Sequence, residues 1–237
     1  MMVLRRIAVF LPNCRAILGG QGEAGKPLPR DDGRGACHAG SMTVTDPHAV
    51  TSAEALAALY GEPSATARAK EGRAIGPETR AFLAASPFCL LATNGPQGLH
   101  VTPRGDAPGF VEVADDRTLV LPDRRGNNRI DALRDILHDP RVALLFLVPG
   151  ASETLRVHGT ARITTDPALR ARHAADGKEP TTVLVIAVET LFMQCGKALI
   201  RSRLWDGRPK AAVPTLGKLI AEHTAGRSGG DELDARM

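Results

Sequence analysis

Between residues 88 and 122 the chain carries short apolar runs separated by tight-turn chemistry, and this pattern restricts the fold more than any other feature. Phe88 to Thr93 is a continuous apolar run ending in Asn-Gly-Pro-Gln-Gly (94–98), and Leu99 to Pro103 resumes as an extended strand. Two runs joined by such a turn form a hairpin. Gly109 to Val113 is expected as a third strand, 115–117 as a tight turn, and Thr118 to Pro122 as a fourth strand. Ile130, Leu133, Ile136 and Leu137 then recur at helical spacing and predict a helix over 128–137. Segments 142–148, 154–164 and 182–188 add apolar, β-branched strands. Strands linked by hairpins around one inserted helix fit a small antiparallel barrel rather than a parallel βαβ sheet.

The flanks read differently. Residues 19–41 are rich in Gly, Pro and charge and have almost nothing to bury, so 1–45 is expected as a disordered extension. Translation could begin at Met1 or at Met42. Order is expected over 46–210, with a tail over 211–237 that holds a short amphipathic helix from Leu216 to His223. Ser52 caps a predicted helix over 53–60 that Gly61 ends. A second helix over 76–85 takes Pro77 at its first position and turns Phe82 and Leu83 inward.

Composition narrows the function. The net charge is +4, from 30 basic and 26 acidic residues, and aromatic residues make up 3%. Binders of single-stranded nucleic acid stack bases on aromatic side chains, which are scarce here, so a small anionic ligand fits better than a polymer. No run approaches the roughly 18 apolar residues of a membrane span. Cys14, Cys37, Cys89 and Cys195 show no C-x-x-C and no metal-ligand spacing, which favours buried or free thiols and a reducing cytoplasm over a disulfide framework or a metal site.

Three segments concentrate chemistry. Leu121 to Asp131 packs three arginines and two asparagines into a Gly-containing loop that opens a helix. Free helix N–H groups and forked guanidiniums can cradle a phosphate, although Asp123 and Asp131 could instead neutralise the arginines. Thr102 to Asp106 (Thr-Pro-Arg-Gly-Asp) offers Arg104 as a further contact, or an Arg–Asp pair salting a strand-end turn. Lys197, Arg201 and Trp205 recur at spacings of four, one helical face, and could meet something flat and anionic. His100 and His158 sit in strand patterns and read as structural.

Taken together, these segments resemble the FMN-binding split barrels related to pyridoxamine 5′-phosphate oxidase, from about Phe82 to Trp205. The carrying motifs are Pro103–Val111, Pro122–Arg129, the Asp-Pro-Arg-Val of 139–142, and Arg201–Trp205, in that order. The resemblance implies an α+β split β-barrel of six or so antiparallel strands with flanking helices, and a homodimer with FMN at the subunit interface. Asn127, Asn128 and Arg129 fall where the family's oxidases carry a Ser-Arg-Lys run that grips the FMN phosphate. By resemblance Arg125 and Arg129 hold phosphate, the asparagines bond phosphate or ribityl oxygens, and Thr102 and Arg104 lie along the flavin. Lys197, Arg201, Ser202 and Trp205 would reach the cofactor bound mainly by the partner subunit. One departure bears on activity: after Trp205 the sequence lacks the family's C-terminal Arg-x-His, which holds the substrate phosphate. FMN binding is therefore expected more firmly than oxidation of vitamin B6. An FMN-dependent oxidoreductase acting on a small molecule is the leading reading; a flavin carrier or sensor, or a barrel using deazaflavin or haem, are its rivals.

Overall fold

The computed structural model describes residues 46–207 and 213–235. The expectations for residues 1–45, including the two starts, Cys14 and Cys37, lie outside the described residues, as does the proposed boundary at 210/211. Two compact units divide between Tyr60 and Gly61. The first contributes α1 (Ala53–Tyr60), whose first turn is capped as expected by Ser52 Oγ accepting from Ala55 N–H at 3.1 Å.

The second unit runs in chain order through α2 (Ala65–Ala69), β1 (Glu71–Gly72), α3 (Pro77–Ala85), β2 (Phe88–Gly95), β3 (Gly98–Gly105), β4 (Glu112–Val113) and β5 (Thr118–Pro122). It continues with α4 (Asp131–His138), β6 (Arg141–Leu147), β7 (Thr154–Thr164), α5 (Pro167–Arg172), β8 (Val183–Gln194), α6 (Lys197–Ser202), α7 (Leu216–His223) and α8 (Asp231–Asp234). Its eight strands form one antiparallel sheet in the order β3-β2-β6-β7-β8-β5-β4, with β1 added to β8. The fold is α+β, a split barrel whose sheet is not closed. The predicted hairpin is β2–β3, with Gly95 opposite Gly98 across its turn.

Alternation along the strands builds the core. Cys89 and Leu91 of β2, Val142, Leu144 and Phe146 of β6, and Leu155 and Val157 of β7 are buried on one face. Leu133 and Ile136 of α4 cover part of it. Burial pushes the Cys89 thiol up to about 12, as expected for a group whose charged form water no longer stabilises. On the opposite face of β2 and β6, and on the matching face of β3, Leu90, Ala92, Leu145 and Leu147 are half-buried and Phe88, Val101 and Leu99 are exposed, Leu99 to 88%. Cross-strand register joins them into one apolar surface running from the free edge of β3 to β6.

The strand expected over 182–188 runs on as β8 to Gln194, held by its pairing with β7, and three further expectations need correction. The strand over 109–113 shrinks to Glu112–Val113. Gly109 is in the left-handed region (φ +80°), its N–H bonds Ser86 O, and the chain wraps against the end of α3 before it can pair. The helix over 128–137 begins only at Asp131, because Asn128 is itself left-handed (φ +61°) and Asn127 Oδ1 takes the Arg129 N–H at 3.0 Å. Of its four periodic apolar residues, Leu133 and Ile136 are buried while Ile130 and Leu137 are exposed. Third, α6 ends at Ser202 and Arg203 turns left-handed (φ +50°), so Trp205 lies beyond the helix whose face Lys197 and Arg201 share. α7 has the predicted bounds.

Candidate functional site

The pairing of β5 with β8 sets Pro122 beside Val183, so the loop leaving β5 passes the entry to β8, and Asp123 N–H bonds Thr182 O at 3.0 Å. From there 123–130 runs to the start of α4. The remaining wall is β3, where His100, Thr102 and Arg104 alternate with exposed Leu99, Val101 and Pro103 and so share one side. Together they enclose a cleft of about 810 Å³ lined by Thr102, Arg104, Arg125, Asn127, Asn128 and Arg129, all six of the cleft residues that the sequence singled out. That volume falls within the range of small-molecule and cofactor sites.

Its electrostatics follow from a charge count. Arg104 NH1 donates to Asp123 Oδ1 at 2.5 Å, and Arg124 Nε donates to Asp106 Oδ2 at 2.5 Å, so the Arg–Asp pairing crosses between β3 and the loop instead of closing within residues 104–106. Arg124 also donates to the His173 carbonyl at 2.6 Å, which makes it a brace for the loop. The Ala107 N–H above all, and then Arg124, hold the Asp106 carboxyl below the usual carboxylate range. Arg129 pairs with Asp131 at 2.9 Å in the open, its side chain 78% exposed. Among the described residues Arg125 has no ion pair and no hydrogen bond. Of these four arginines three are paired with aspartates, and Arg125 alone is left without one.

Buried polar atoms in the walls point to an occupant. Arg104 Nε, Thr182 Oγ1 and His100 Nδ1 have no hydrogen-bond partner among the described residues, and all three residues line the cleft. Leaving such atoms unmet costs on the order of 1–3 kcal/mol each, a cost that a polar ligand would remove. Asp123 neutralises an arginine as the sequence allowed, but the one from β3, whereas Thr182 escaped the sequence reading as a site residue: it stands at the entry to a distant strand, and only the β5–β8 register brings it to the loop.

The second predicted group stands apart. Lys197, Arg201 and Ser202 are exposed on α6, where Ser202 Oγ donates to Leu199 O at 3.0 Å, and Trp205 Nε1 donates to Ala151 O at 2.7 Å. A smaller cleft of about 300 Å³ includes Trp205, Leu199 and Arg203, and it shares no residue with the basic cleft. The twelve residues of β8 separate the two groups, roughly 35 Å of strand at about 3.3 Å per residue.

Residues 75–195, about half of the chain, match the family model described as pyridoxamine 5′-phosphate oxidase. No curated protein matches the chain. Among solved structures, HupZ of Group A Streptococcus is 20% identical, with 51% of this chain and 94% of that one covered and a TM-score of 0.43. A Clostridium acetobutylicum protein related to general stress protein 26, of the pyridoxinephosphate oxidase family, is 16% identical over 50% of this chain and 86% of that one, with a TM-score of 0.40. The FAD binding protein of Mycobacterium smegmatis is 15% identical over 52% and 97%, with a TM-score of 0.36. On the family match, the chain belongs to the pyridoxamine 5′-phosphate oxidase family.

Proposed function

We propose that the protein is an FMN-binding oxidoreductase that acts on a small molecule, and that it works as a homodimer. The observation that carries the reading is the cleft itself: a cofactor-sized space with an unpaired arginine in its lining and unpartnered buried polar atoms in its walls. The residues fit FMN. Arg125 and Arg129 would hold the phosphate beside the N-terminus of α4, with the Asn127 and Asn128 amides on phosphate or ribityl oxygens. Thr102, Arg104 and Thr182 would meet the polar edge of the ring system. When bound, a flavin supplies the hydride chemistry, and the protein's part is to hold it, orient it and exclude water. Asp123 and Asp106 keep Arg104 and Arg124 fixed, so the wall is organised before anything binds.

Two features support the two-chain reading. The apolar surface across β3, β2 and β6 is the kind of exposed patch that a partner covers. The α6 group, set a strand's length from its own cleft, could serve the cleft of a second copy, with Lys197 or Arg201 as the cation that stabilises a reduced, anionic ring. The test is complementation. R125A/R129A and K197A/W205A are each expected to lose tight FMN binding alone. Refolded together at equal amounts, they should regain about a quarter of the sites, since half the dimers are mixed and each mixed dimer has one intact site. No recovery, or normal FMN binding by K197A/W205A, would contradict the shared site. Anaerobic bleaching of the loaded protein by a reduced donor, followed by rapid reoxidation, would separate turnover from a carrier role.

A further inference from the structure

His100 shares the cleft-facing side of β3 with Thr102 and Arg104, and the reading above gives it no task. Its Nδ1 is buried without a hydrogen-bond partner and lies 3.5 Å from Asp135 Oδ2. Asp135 arrives from α4 with its side chain only 13% exposed, and Thr93 Oγ1 donates to its Oδ2 at 2.8 Å. Thr93 and His100 are direct cross-strand neighbours, so the carboxylate sits over one rung of the β2–β3 hairpin. Gly95 makes the space for it: a Cβ there would stand 1.9 Å from Asp135 Oδ1. Among the described residues no arginine or lysine pairs with Asp135. A largely buried carboxylate with a hydroxyl as its hydrogen-bond donor is poorly compensated, and among the described residues the His100 imidazole is the basic group within ion-pair distance of it. A plain staple between helix and hairpin would need only the Thr93 bond and would not need the charge.

We propose that His100 and Asp135 form a proton-holding dyad in the cleft wall. Asp135 engages the Nδ1 side and leaves Nε2–H to donate to an anionic oxygen of the bound cofactor. This rests on the cleft being the FMN site. The other charged groups that line the cleft with His100 are Arg104 on its own strand, already held by Asp123, and Arg124, Arg125, Arg129 and Asp131 on the loop into α4; Asp139, just past α4, is held by Arg141 and Asn94.

FMN affinity measured between about pH 5.5 and 8.5, the range in which imidazoles take up a proton, tests the dyad. The protonation of the FMN phosphate cancels when variants are compared at the same pH. His100→Gln should weaken binding about tenfold near pH 6 and less than twofold near pH 8.5, the size expected for one charge-assisted hydrogen bond. Asp135→Asn, which keeps the shape and the Thr93 contact, should remove most of the same low-pH gain. Both variants are near-isosteric, and melting curves matching the wild type exclude misfolding as the cause. A His100→Gln curve parallel to the wild type, or an unchanged Asp135→Asn curve, would overturn the dyad while leaving the flavin reading intact. A wild-type protein that takes up no FMN at any pH would remove the flavin reading and this inference with it.

Discussion

Replacing Arg125 and Arg129 together by alanine is expected to weaken FMN binding at least a hundredfold while leaving the melting temperature within a degree or two. Each arginine–phosphate contact is a charge-assisted hydrogen bond of about 1.5–3 kcal/mol. Losing two exceeds the roughly 2.7 kcal/mol that corresponds to a factor of a hundred. The two arginines do not contribute alike. Arg125 is unpaired and delivers its full charge, whereas Arg129 must share itself with Asp131, so R125A alone should cost more than R129A alone. Stability should hardly move, because both side chains lie on an exposed loop and a surface ion pair contributes little. Arg124→Ala is the contrasting case. Its guanidinium ties the loop to Asp106 and to the His173 carbonyl, so its loss should lower stability before it lowers affinity. Riboflavin, which lacks the phosphate, should bind the double variant and the wild type almost equally. Equal FMN affinity in the double variant and the wild type would rule out the loop as the phosphate site.

Gly159→Ala is expected to destabilise the fold by about 3 kcal/mol, at the upper end of the usual cost of overpacking. β7 and β8 form the longest pair in the sheet, and their register shifts at His158/Gly159: Thr190 pairs with His158 and Val188 with Gly159, so Glu189 is the extra residue of a bulge. The bulge carries the Ala187 carbonyl directly over Gly159, where an added Cβ would stand 2.0 Å from that oxygen. The nearest atoms are all backbone of β8, which leaves no flexible side chain to give way. Because β8 leads from the cleft rim at Thr182 to α6, a shift there should also loosen both functional groups. Denaturant unfolding of the variant measures the loss. A change below about 1 kcal/mol would show that the bulge relaxes freely.

The parts of this architecture that could be read from sequence were those set by local chemistry. Pro77, the 94–98 turn and the 3.6-residue spacing in 216–223 each fix their own element, and α3, the β2–β3 hairpin and α7 formed accordingly. The basic loop was legible because arginine and asparagine density is itself the chemistry, and its residues do line one cleft. Where tertiary contact decides, the reading fell short. Gly109 and Phe110 have strand-like neighbours yet wrap against α3, and Asn128 takes a left-handed turn that hydrophobic spacing cannot reveal. His100 looked like an ordinary strand residue because Asp135, its neighbour in space, is 35 positions away on a helix. The order of the sheet, with β6 beside β2 and β8 beside β5, carries no local signature at all.

FMN binding in this cleft is the central claim, and uptake of the cofactor tests it most directly. The purified wild-type protein, incubated with excess FMN and freed of unbound flavin by gel filtration, should show absorbance bands near ~450 and ~370 nm, as any oxidised flavin does. Their intensity should correspond to one cofactor per chain, and the R125A/R129A protein treated in the same way should stay colourless. A colourless wild-type protein, or a double variant that retains the same bands at the same stoichiometry, would contradict it.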